Sequence, residues 1–435
     1  MSGFIKLKKI EKFDNTASYY FENSPELDPY FNKNNLFTLQ IADQLQKSQL
    51  KLCDVPDSVL VIPFLGNVLP ISWLLDTNLS IDVIDKSFYN AIPAIKSGYA
   101  NMYPNLDFRG SLSAKNVIDT PLSSAKPEEI AFFSAGVDAW QTFVTHYTEH
   151  PTLLTLFGMD FYLENPEGNK YCTALMQKIA KEFNCDAISI NTSMRQFINE
   201  KELNARFSEK LGFHWFHRIQ HGMGAITHAA PIAWIKNSKV VYFASSYSFK
   251  DKEKHKCATD PTIDNNIAFA SAHVVHDGYE CSRQDKIYNI TRFTELAHKN
   301  IFIHVCWSQD KEIKNCCRCE KCMRTMFGLL AEGFNPNDFG FKYEPYDFSK
   351  RVKYLLNHNE LVLTKEMWEQ IIFRFKMNPG IIKNKFPELN WVLTYNFPEN
   401  KNPACQINLK INSELNFSTR LINKGKRVIR SLFRI

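Results

Sequence analysis

The sequence lacks the long uninterrupted apolar runs that secretory signals and membrane spans require. The N-terminal stretch MSGFIKLKKIEKFDN contains no apolar core of the kind that a signal peptide carries. The most apolar segment, residues 59–75, is interrupted by Pro63, Gly66 and Pro70 and is too short to cross a bilayer. Without a secretory signal, the 11 cysteines indicate free thiols in a reducing compartment rather than disulfides. We therefore expect a cytoplasmic protein.

The chain also lacks a large excess of charge of either sign. Its formal net charge is +6 over 435 residues, and much of the positive charge gathers near the C-terminus. This balance argues against a protein that coats nucleic acid, so we expect no stable nucleic-acid complex, but it allows anionic ligands. A composition of 44% hydrophobic and 23% charged residues is that of a globular protein, and the length of 435 residues suggests two or three domains.

Three regions are predicted from the order of the apolar segments. Residues 1–127 form a mixed α/β region, and residues 128–330 repeat strand and helix in the rhythm of a parallel sheet. Residues 331–435 are predicted to be mainly helical and to end in a basic amphipathic tail at 415–435. The tail suits an anionic membrane surface, a protein partner, or packing on its own chain.

Some elements of the first region are predicted from periodicity alone. Residues 29–45 carry helical periodicity, residues 59–64 form a strand-like apolar run, and residues 80–84 form another. Asp85 follows the last of these runs, where it most simply caps the next helix, although an aspartate there also suits a ribose or an amine.

The second region begins with EEIAFFSAGVDAWQTF, residues 128–143. An apolar run at 130–133 suits a buried parallel strand, and helical spacing starts at Ala139. A tight turn between a strand and a helix start brings free backbone N–H groups and the positive helix end together. This arrangement predicts a phosphate site.

The turn resembles the pyrophosphate-binding loop of N-type ATP pyrophosphatases (the PP-loop superfamily), whose pattern is Ser-Gly-Gly-x-Asp-Ser. The corresponding residues are Ser134, Ala135, Gly136, Val137, Asp138 and Ala139. Ala135 replaces a glycine, which requires negative φ or mild strain, and Ala139 removes a hydroxyl that would reach phosphate. By motif matching alone, an ordinary strand-to-helix turn explains the pattern equally well.

Further candidates lie beyond the carboxyl ends of the predicted strands, where ligands bind in such sheets. Gly158 and Asp160 follow the strand at 152–157, and Ser245 follows the strand at 240–244. Arg218, Arg283 and Lys286 suit contacts to phosphate or carboxylate, with solvated surface charge as the alternative for the last two. Histidines at 221, 228, 273 and 276 are interpreted first as ordinary polar residues and second as acid–base groups.

The most specific pattern is CWSQDKEIKNCCRCEKC. Its cysteines at 306, 316, 319 and 322 have the spacing C-x9-C-x2-C-x2-C, which lets thiolates from one turn converge. Four thiolates suit a structural, tetrahedral Zn²⁺ site, and an iron–sulfur cluster uses the same donors. A strand at 301–305 is predicted to deliver Cys306, and Cys317 is expected to point away from the metal.

Together, the loop and the cysteine knuckle resemble the 7-cyano-7-deazaguanine synthase (QueC) family. The four cysteines and Arg324 match the family pattern, as does Lys286 within residues 282–287, whereas Cys317 stands where the family usually has glycine. The resemblance covers residues 128–330. It implies a Rossmann-like parallel sheet of the PP-loop (HUP) type with a zinc knuckle.

The resemblance also implies an activity. ATP with Mg²⁺ would bind at residues 134–139, with Gly158 and Asp160 near the adenine, while Arg218, Arg283 and Lys286 would serve the acyl substrate or the departing pyrophosphate. Such an enzyme adenylates a carboxylate of a deazapurine or another acid, and a nitrogen nucleophile then forms an amide, a nitrile or an amine conjugate. It would be a carbon–nitrogen ligase.

Two alternatives to this activity are open. Ala135 replaces the glycine of the family pattern and Ala139 lacks its serine hydroxyl. These differences suit a catalytically silent module of the same fold that binds a protein partner in a larger assembly. A sulfur-transferring enzyme is the third interpretation, but four coordinated thiolates are poor nucleophiles, and only Cys317 would be spare.

Overall fold

A computed structural model of the protein describes residues 3–45, 50–121, 123–251, 255–270, 272–306, 314–358 and 365–397. The chain folds into two compact units, Met1–Lys342 and Tyr343–Ile435. The predicted basic tail at 415–435 lies outside the described residues. None of the helices described here has the length and apolarity that a bilayer crossing requires.

The first unit is built on one sheet, whose order along the hydrogen-bonded ladder is β10-β11-β9-β6-β7-β8-β3-β2-β1-β4-β5. The strands are β1 Phe4–Phe13, β2 Thr16–Asn23, β3 Leu36–Leu45, β4 Asn78–Asp85, β5 Ser111–Ile118, β6 Ile130–Phe132, β7 Thr152–Phe157, β8 Ala187–Thr192, β9 Val240–Ala244, β10 Ala268–Phe269 and β11 Ala272–Asp277. Neighbours from β11 to β8 are parallel, as are β1, β4 and β5, and the other pairs are antiparallel. The expected mixed α/β class with a mostly parallel sheet is confirmed.

The helices of the first unit follow the strand–helix rhythm that the sequence predicts from residue 128 onward. They are α1 Asp57–Leu60, α2 Ile62–Leu74, α3 Lys86–Met102, α4 Val137–Thr145, α5 Pro166–Phe183, α6 Glu200–Leu211, α7 Met223–Ile226, α8 Ala229–Ile235, α9 Pro261–Asp264, α10 Arg283–Ala297 and α11 Glu320–Ala331. A short π-helical turn, Phe216–Gln220, precedes α7. Asp85 caps α3 by accepting from the backbone N–H of Phe88, so the capping interpretation is confirmed.

Strand β3 joins the first region to the second, because it pairs antiparallel with β8 on one side and with β2 on the other. The helix predicted at 29–45 is therefore wrong. Phe37, Leu39 and Ile41 are buried while their neighbours are more exposed, which is the alternation of a half-buried strand. Strands from both sides of the predicted boundary at 127 and 128 share this sheet, and the division into domains there stays a prediction.

The strand predicted at 59–64 is also wrong, because these residues lie in α1 and the start of α2. Ile62–Leu74 is buried on every side until its last residue, including Asn67, whose amide donates to the carbonyls of Pro63 and Gly224 at 2.9 and 3.1 Å. A helix that is apolar all round shows no stripe, so its sequence cannot be told from a buried strand by periodicity.

Residues 301–305 form no strand in the part of the chain that the structure describes, contrary to prediction. Their backbone N–H groups bond elsewhere. His304 donates to the carbonyl of Ala135 at 2.8 Å, and Ile303 donates to the carbonyl of Phe339 at 3.0 Å. The segment therefore runs beside the 134–138 turn instead of extending the sheet.

The second unit is helical where it is described, in agreement with the sequence. It contains α12 Pro345–His358, α13 Lys365–Met377, α14 Pro379–Lys385 and a 3₁₀ turn at Pro387–Thr394. Its buried side chains include Val352, Trp368, Phe375 and Leu389. Pro379 and Pro387 stand at the first positions of their helices. A backbone N–H at that position has no acceptor within the helix, so proline removes no hydrogen bond there.

Gly158, directly after β7, permits a close approach between two strand ends and yields the first prediction. It has φ +99°, and a Cβ there would lie 1.8 Å from the carbonyl oxygen of Thr192. We expect Gly158→Ala to lower the free energy of unfolding by roughly 3 kcal/mol or more, because the change adds a backbone clash to strain.

Gly212→Ala is the matched control. Gly212 has φ +68°, and no atom lies within 4 Å of the position that an added methyl group would take, so its substitution measures backbone strain alone, at about 1 kcal/mol. Urea denaturation of both variants measures the difference. Equal losses would contradict the close approach at Gly158.

Candidate functional site

The candidate site lies at the carboxyl end of β6, where the order of the strands reverses. From β6 the chain proceeds to β7 and β8 on one side, and later strands β9 and β11 lie on the other side. Because β7 and β9 are both parallel to β6, the segments that follow all three meet at one edge of the sheet. Such a reversal opens a crevice, and ligands of parallel α/β sheets bind there.

The turn from β6 to α4 accommodates its alanine with backbone strain, which is the second of the two outcomes expected for Ala135. Ala135 has φ +57°, in the left-handed region that favours glycine, and it is fully buried. The cost of this conformation for a residue with a Cβ is about 1–2 kcal/mol. Gly136 is the N-cap of α4, so the first N–H groups of the helix emerge beside the crevice.

Lys286 connects the two walls of the crevice. Its Nζ donates to the carbonyl and hydroxyl oxygens of Ser245 at 2.6 and 3.0 Å, and to Oδ1 of Asp138 at 3.1 Å. Ser245 follows β9 and Asp138 lies in the first turn of α4, so one buried ammonium holds together segments from both sides of the strand reversal. The sequence predicted each residue as a candidate but not their contact.

Asp138 is paired on both of its oxygens. Arg283 Nη1 donates to Oδ2 at 3.1 Å, while Lys286 occupies Oδ1. Burial alone would raise the pKa of the Asp138 carboxyl, but the charges of Lys286 and Arg283 outweigh burial and hold that pKa at about 2. The stability that this pairing contributes is present at neutral pH and is lost only as pH falls through the folded pKa.

Two further cations from α11 approach the same place. Burial lowers the pKa of the Lys321 ammonium, and the nearby charge of Arg283 lowers it further. Burial also lowers the pKa of the Arg324 guanidinium to about 9, again with a contribution from Arg283, and Glu320 and Asp138 offset part of the repulsion. Positive charges that destabilise one another in a partly buried site favour an anionic ligand.

Asp160 occupies the rim after β7. Its Oδ2 lies 3.9 Å from Nε2 of His221. The surrounding protein alone would raise the pKa of Asp160, although its side chain is exposed, but the nearby His221 and the charge of Lys321 hold that pKa well below its usual range. The sequence placed Asp160 on this rim, but did not predict its partner.

Arg218 stands apart from the Asp138 cluster. Its guanidinium lies over the ring of Phe213, 5.4 Å from the centroid, and its charge lowers the pKa of Tyr247, which burial raises. Its Nε is buried and has no hydrogen-bond partner among the described residues. The structure therefore places Arg218 beside Tyr247 and does not bring it into contact with Asp138.

Two of the candidate histidines are satisfied core residues, as first interpreted. His228 contacts the hydroxyl of Thr192 through Nε2 at 2.8 Å, and burial lowers its pKa to about 4. His276 contacts Oδ2 of the buried Asp264 through Nδ1 at 2.8 Å. His273 is exposed on β11. Neither buried histidine faces the Asp138 cluster through a described hydrogen bond.

The four predicted cysteine ligands converge. The Sγ atoms of Cys306, Cys316, Cys319 and Cys322 all lie within 4.8 Å of one another, so the cluster can hold a metal such as zinc. Cys319 is the N-cap of α11, which places the last two ligands on one helix start. Backbone N–H groups also point at the sulfurs, since Cys319 N–H donates to Cys316 Sγ at 3.2 Å.

Cys317 points away from the cluster, as predicted. Its Sγ accepts from the backbone N–H of Lys342 at 3.0 Å, and its φ of +54° turns the chain between the first two closely spaced ligands. Asn315 holds the segment that carries Cys306. Its amide donates to the Ile303 carbonyl at 2.6 Å, and its side-chain oxygen accepts from Val305 N–H at 3.0 Å.

The cysteine cluster contacts the crevice through the two segments that carry its cysteines, residues 301–306 and α11. Cys306 lies two residues after His304, whose N–H holds the Ala135 carbonyl, and α11 carries Lys321 and Arg324 toward Asp138. A metal bound to all four sulfurs would therefore tie the 134–138 turn to the cations that surround it. This connection was not visible in the sequence, in which Arg324 was only a match to the family pattern.

Comparisons of the chain with protein-family models, with curated proteins and with solved structures yield no match. The assignment of a function therefore depends on the charge and geometry of the crevice and on the cysteine cluster.

The metal cluster yields the second prediction. We expect the purified protein to contain one zinc per chain, and Cys319→Ser to lose most of it, because three thiolates hold the metal less tightly than four. The loss should lower the free energy of unfolding by roughly 3 kcal/mol or more. Elemental analysis and thermal unfolding measure the two effects.

Cys317→Ser is the matched control, since it removes a neighbouring thiol that lies outside the cluster. This variant should keep its metal and its stability. A well-folded protein with neither zinc nor iron would contradict the metal site, and iron in place of zinc would identify an iron–sulfur cluster.

Proposed function

We propose that the protein is an ATP-dependent, carboxylate-activating carbon–nitrogen ligase of the PP-loop class. The observation that supports this most directly is the contact of Lys286 with Asp138 and Ser245, at the reversal of strand order and beside the start of α4. A ligand in that crevice meets backbone N–H groups, a helix N-terminus and a cluster of cations at once. These are the groups that bind a polyphosphate.

In this proposal the β- and γ-phosphates bind against the 134–138 turn. The first N–H groups of α4 have no partner within the helix and would donate to phosphate oxygens. Arg283, Lys321 and Arg324 supply positive charge around the same point. Because this charge is partly buried, its interaction with a polyphosphate is screened less than at an open surface.

Mg²⁺ would accompany the nucleotide and neutralise part of its charge. Asp160 on the neighbouring rim is the carboxylate that suits such a cation, whereas both oxygens of Asp138 already accept from Lys286 and Arg283. Because Mg²⁺ is commonly held by one or two carboxylates together with substrate phosphates, Asp160 and the phosphates would supply its ligands.

The reaction has two steps. The substrate carboxylate attacks the α-phosphorus of ATP, a new C–O–P linkage forms, and the bond to pyrophosphate breaks. A nitrogen nucleophile then attacks the acyl carbon, AMP leaves with the bonding electron pair, and the nitrogen loses a proton. Lys286 and the three other cations stabilise the charge that develops on the departing pyrophosphate, which is where preorganised electrostatics contributes most to the rate.

Two features of the fold support the PP-loop type. The parallel strands β6, β7, β8, β9 and β11 stand in the order 3-2-1-4-5, a doubly wound arrangement with its ligand crevice beside the first strand. The four-cysteine cluster follows the last of these strands and packs against the turn after the first, through the bond between His304 and Ala135.

A catalytically silent module is the second candidate. It is favoured by Ala139, which is buried and has no hydroxyl to offer, and by Asp138, whose two oxygens already accept from cations. In such a module the crevice would be closed by its own ion pairs, and the protein would act as a scaffold for a partner.

The third prediction tests the ligase. Pyrophosphate release from ATP, measured over a panel of carboxylic acids, should fall at least about 100-fold in Asp138→Asn, because the variant disrupts the charge arrangement at the phosphates. Asp82→Asn, which changes an exposed carboxylate on β4, is the control and should release pyrophosphate at the wild-type rate. The absence of ATP binding to the wild-type protein by calorimetry would contradict the proposal.

The fourth prediction separates the ligase from the silent module. The double substitution Ala135→Gly with Ala139→Ser restores the loop pattern, and glycine suits the φ of +57° at position 135. If the ligase proposal is right, wild type binds ATP and the double variant binds it within about 10-fold of that affinity. Nucleotide binding that arises only in the double variant would favour the silent module.

A further inference from the structure

His146 lies where the far end of α4 meets the other wall of the crevice. It is the C-cap of α4, the helix whose first turn carries Asp138. Its Nε2 lies 3.1 Å from Oδ1 of Asp277, and its Nδ1 lies 3.1 Å from Oε2 of Glu149. Both ring nitrogens therefore face carboxylate oxygens, and only the doubly protonated imidazolium can donate to both.

The ring of His146 is held in place on its face as well. It stacks on Tyr242 of β9 with centroids 3.7 Å apart and planes inclined by 19°, and the hydroxyl of Tyr242 donates to Glu149 at 2.9 Å. The negative end of the α4 dipole adds a further attraction for a cation at this position.

Asp277 connects His146 to the wall that holds Lys286. Its backbone carbonyl accepts from the N–H of Ser245 at 2.8 Å. The next residue, Gly278, lies beside the same groups, since a Cβ built there would be at ordinary van der Waals distance, 3.7 Å, from Cε of Lys286 and 3.8 Å from Oγ of Ser245. A shift of Asp277 would thus be transmitted to the ammonium that meets Asp138.

We propose that the His146 imidazolium is a positioning residue that joins α4 to the end of β11 and so sets the spacing between Asp138 and Lys286. Anion binding in the crevice would then depend on the protonation of a residue that does not touch the anion. The part that concerns anion binding rests on the proposed function, whereas the coupling of His146 to the turn does not.

The electrostatic surroundings determine the direction of the pH dependence. Burial alone would lower the pKa of His146, but its hydrogen bonds to Asp277 and Glu149 outweigh burial and raise that pKa above its ordinary value. The contribution of the imidazolium is therefore complete at acidic pH and is lost as pH rises through the raised folded pKa.

Other titratable groups face the same cluster. The pKa of Asp277 and that of Glu149 are both lowered although burial opposes this, so both are ionised at neutral pH. Hydrogen bonding to His146 lowers the pKa of Asp277, whereas hydrogen bonding to Glu129 and then to His146 lowers that of Glu149. Glu129, before β6, has its pKa raised to about 7 by burial and by Glu149. Lys286 lies on the far side of Asp277 and favours its ionised form. Glu129 is thus a neighbour that titrates within the pH range of the experiment, so it needs its own control.

The experiment needs no ligand in its first part. Backbone amide shifts of residues 134–138 and the His146 ring shift are followed by NMR from about pH 5 to about pH 9. We expect the turn to titrate with the same midpoint as His146, and Asp277→Asn to move both midpoints to lower pH together, because the variant removes one counter-charge.

The second part measures the affinity for inorganic pyrophosphate by calorimetry over the same pH range. Wild type should bind about 3- to 10-fold more weakly above the His146 midpoint than below it, in addition to the change from the probe's own ionisation. His146→Gln should bind weakly with only the probe's own pH dependence. His273→Gln, an exposed histidine on β11, and Glu129→Gln should keep the wild-type profile.

The outcomes separate the two proposals. If pyrophosphate does not bind but the turn titrates with His146, the proposed function fails and the positioning role stands. If the turn shows no shift at the His146 midpoint, or if His146→Gln lowers stability but leaves the pH profile of the affinity unchanged, His146 is only structural and the inference is wrong.

Discussion

The ion pair between Lys286 and Asp138 is the constraint on which the candidate site depends. A buried ammonium is unfavourable unless it is compensated, and here it is compensated by a carboxylate from α4 and by two oxygens of Ser245 beyond β9. The contact joins the segments that follow β6 and β9, and these segments lie side by side because the two strands are adjacent and parallel. The sheet order, the position of α4 and the charge of the crevice are therefore linked through one side chain.

The cysteine cluster acts on the same crevice from the opposite side. Its sulfurs fix the start of α11 relative to residues 301–306, and the latter hold the buried turn at Ala135. Metal binding would help to offset the strain of Ala135, whose φ is +57°. It would hold residues 301–306 in place, and His304 of that segment donates its N–H to the Ala135 carbonyl.

Elements that are determined by their local sequence were predicted correctly, and elements that depend on their tertiary surroundings were not. Strands β7 and β9 were predicted with their bounds, because each is a short apolar run between clear turn signals. Residues 29–45 and 59–64 were misassigned, because β3 pairs with strands from distant parts of the chain and α2 is buried on every side. The buried helix leaves no stripe in a local window of sequence, whereas the alternation of Phe37, Leu39 and Ile41 with less buried neighbours is a local strand signal that the helical interpretation overlooked.

The sequence was sufficient to predict the four cysteines that converge, since three of them are closely spaced on one turn and Cys306 lies 10 residues before Cys316. It also determined the strand, turn and helix that carry Asp138. Only the tertiary structure decided which cations meet that carboxylate, that Arg218 lies beside Tyr247 instead, and that His146 faces Asp277, 131 residues away. The physical reason is that these contacts depend on which strands are neighbours, and strand order follows from the packing of the whole sheet.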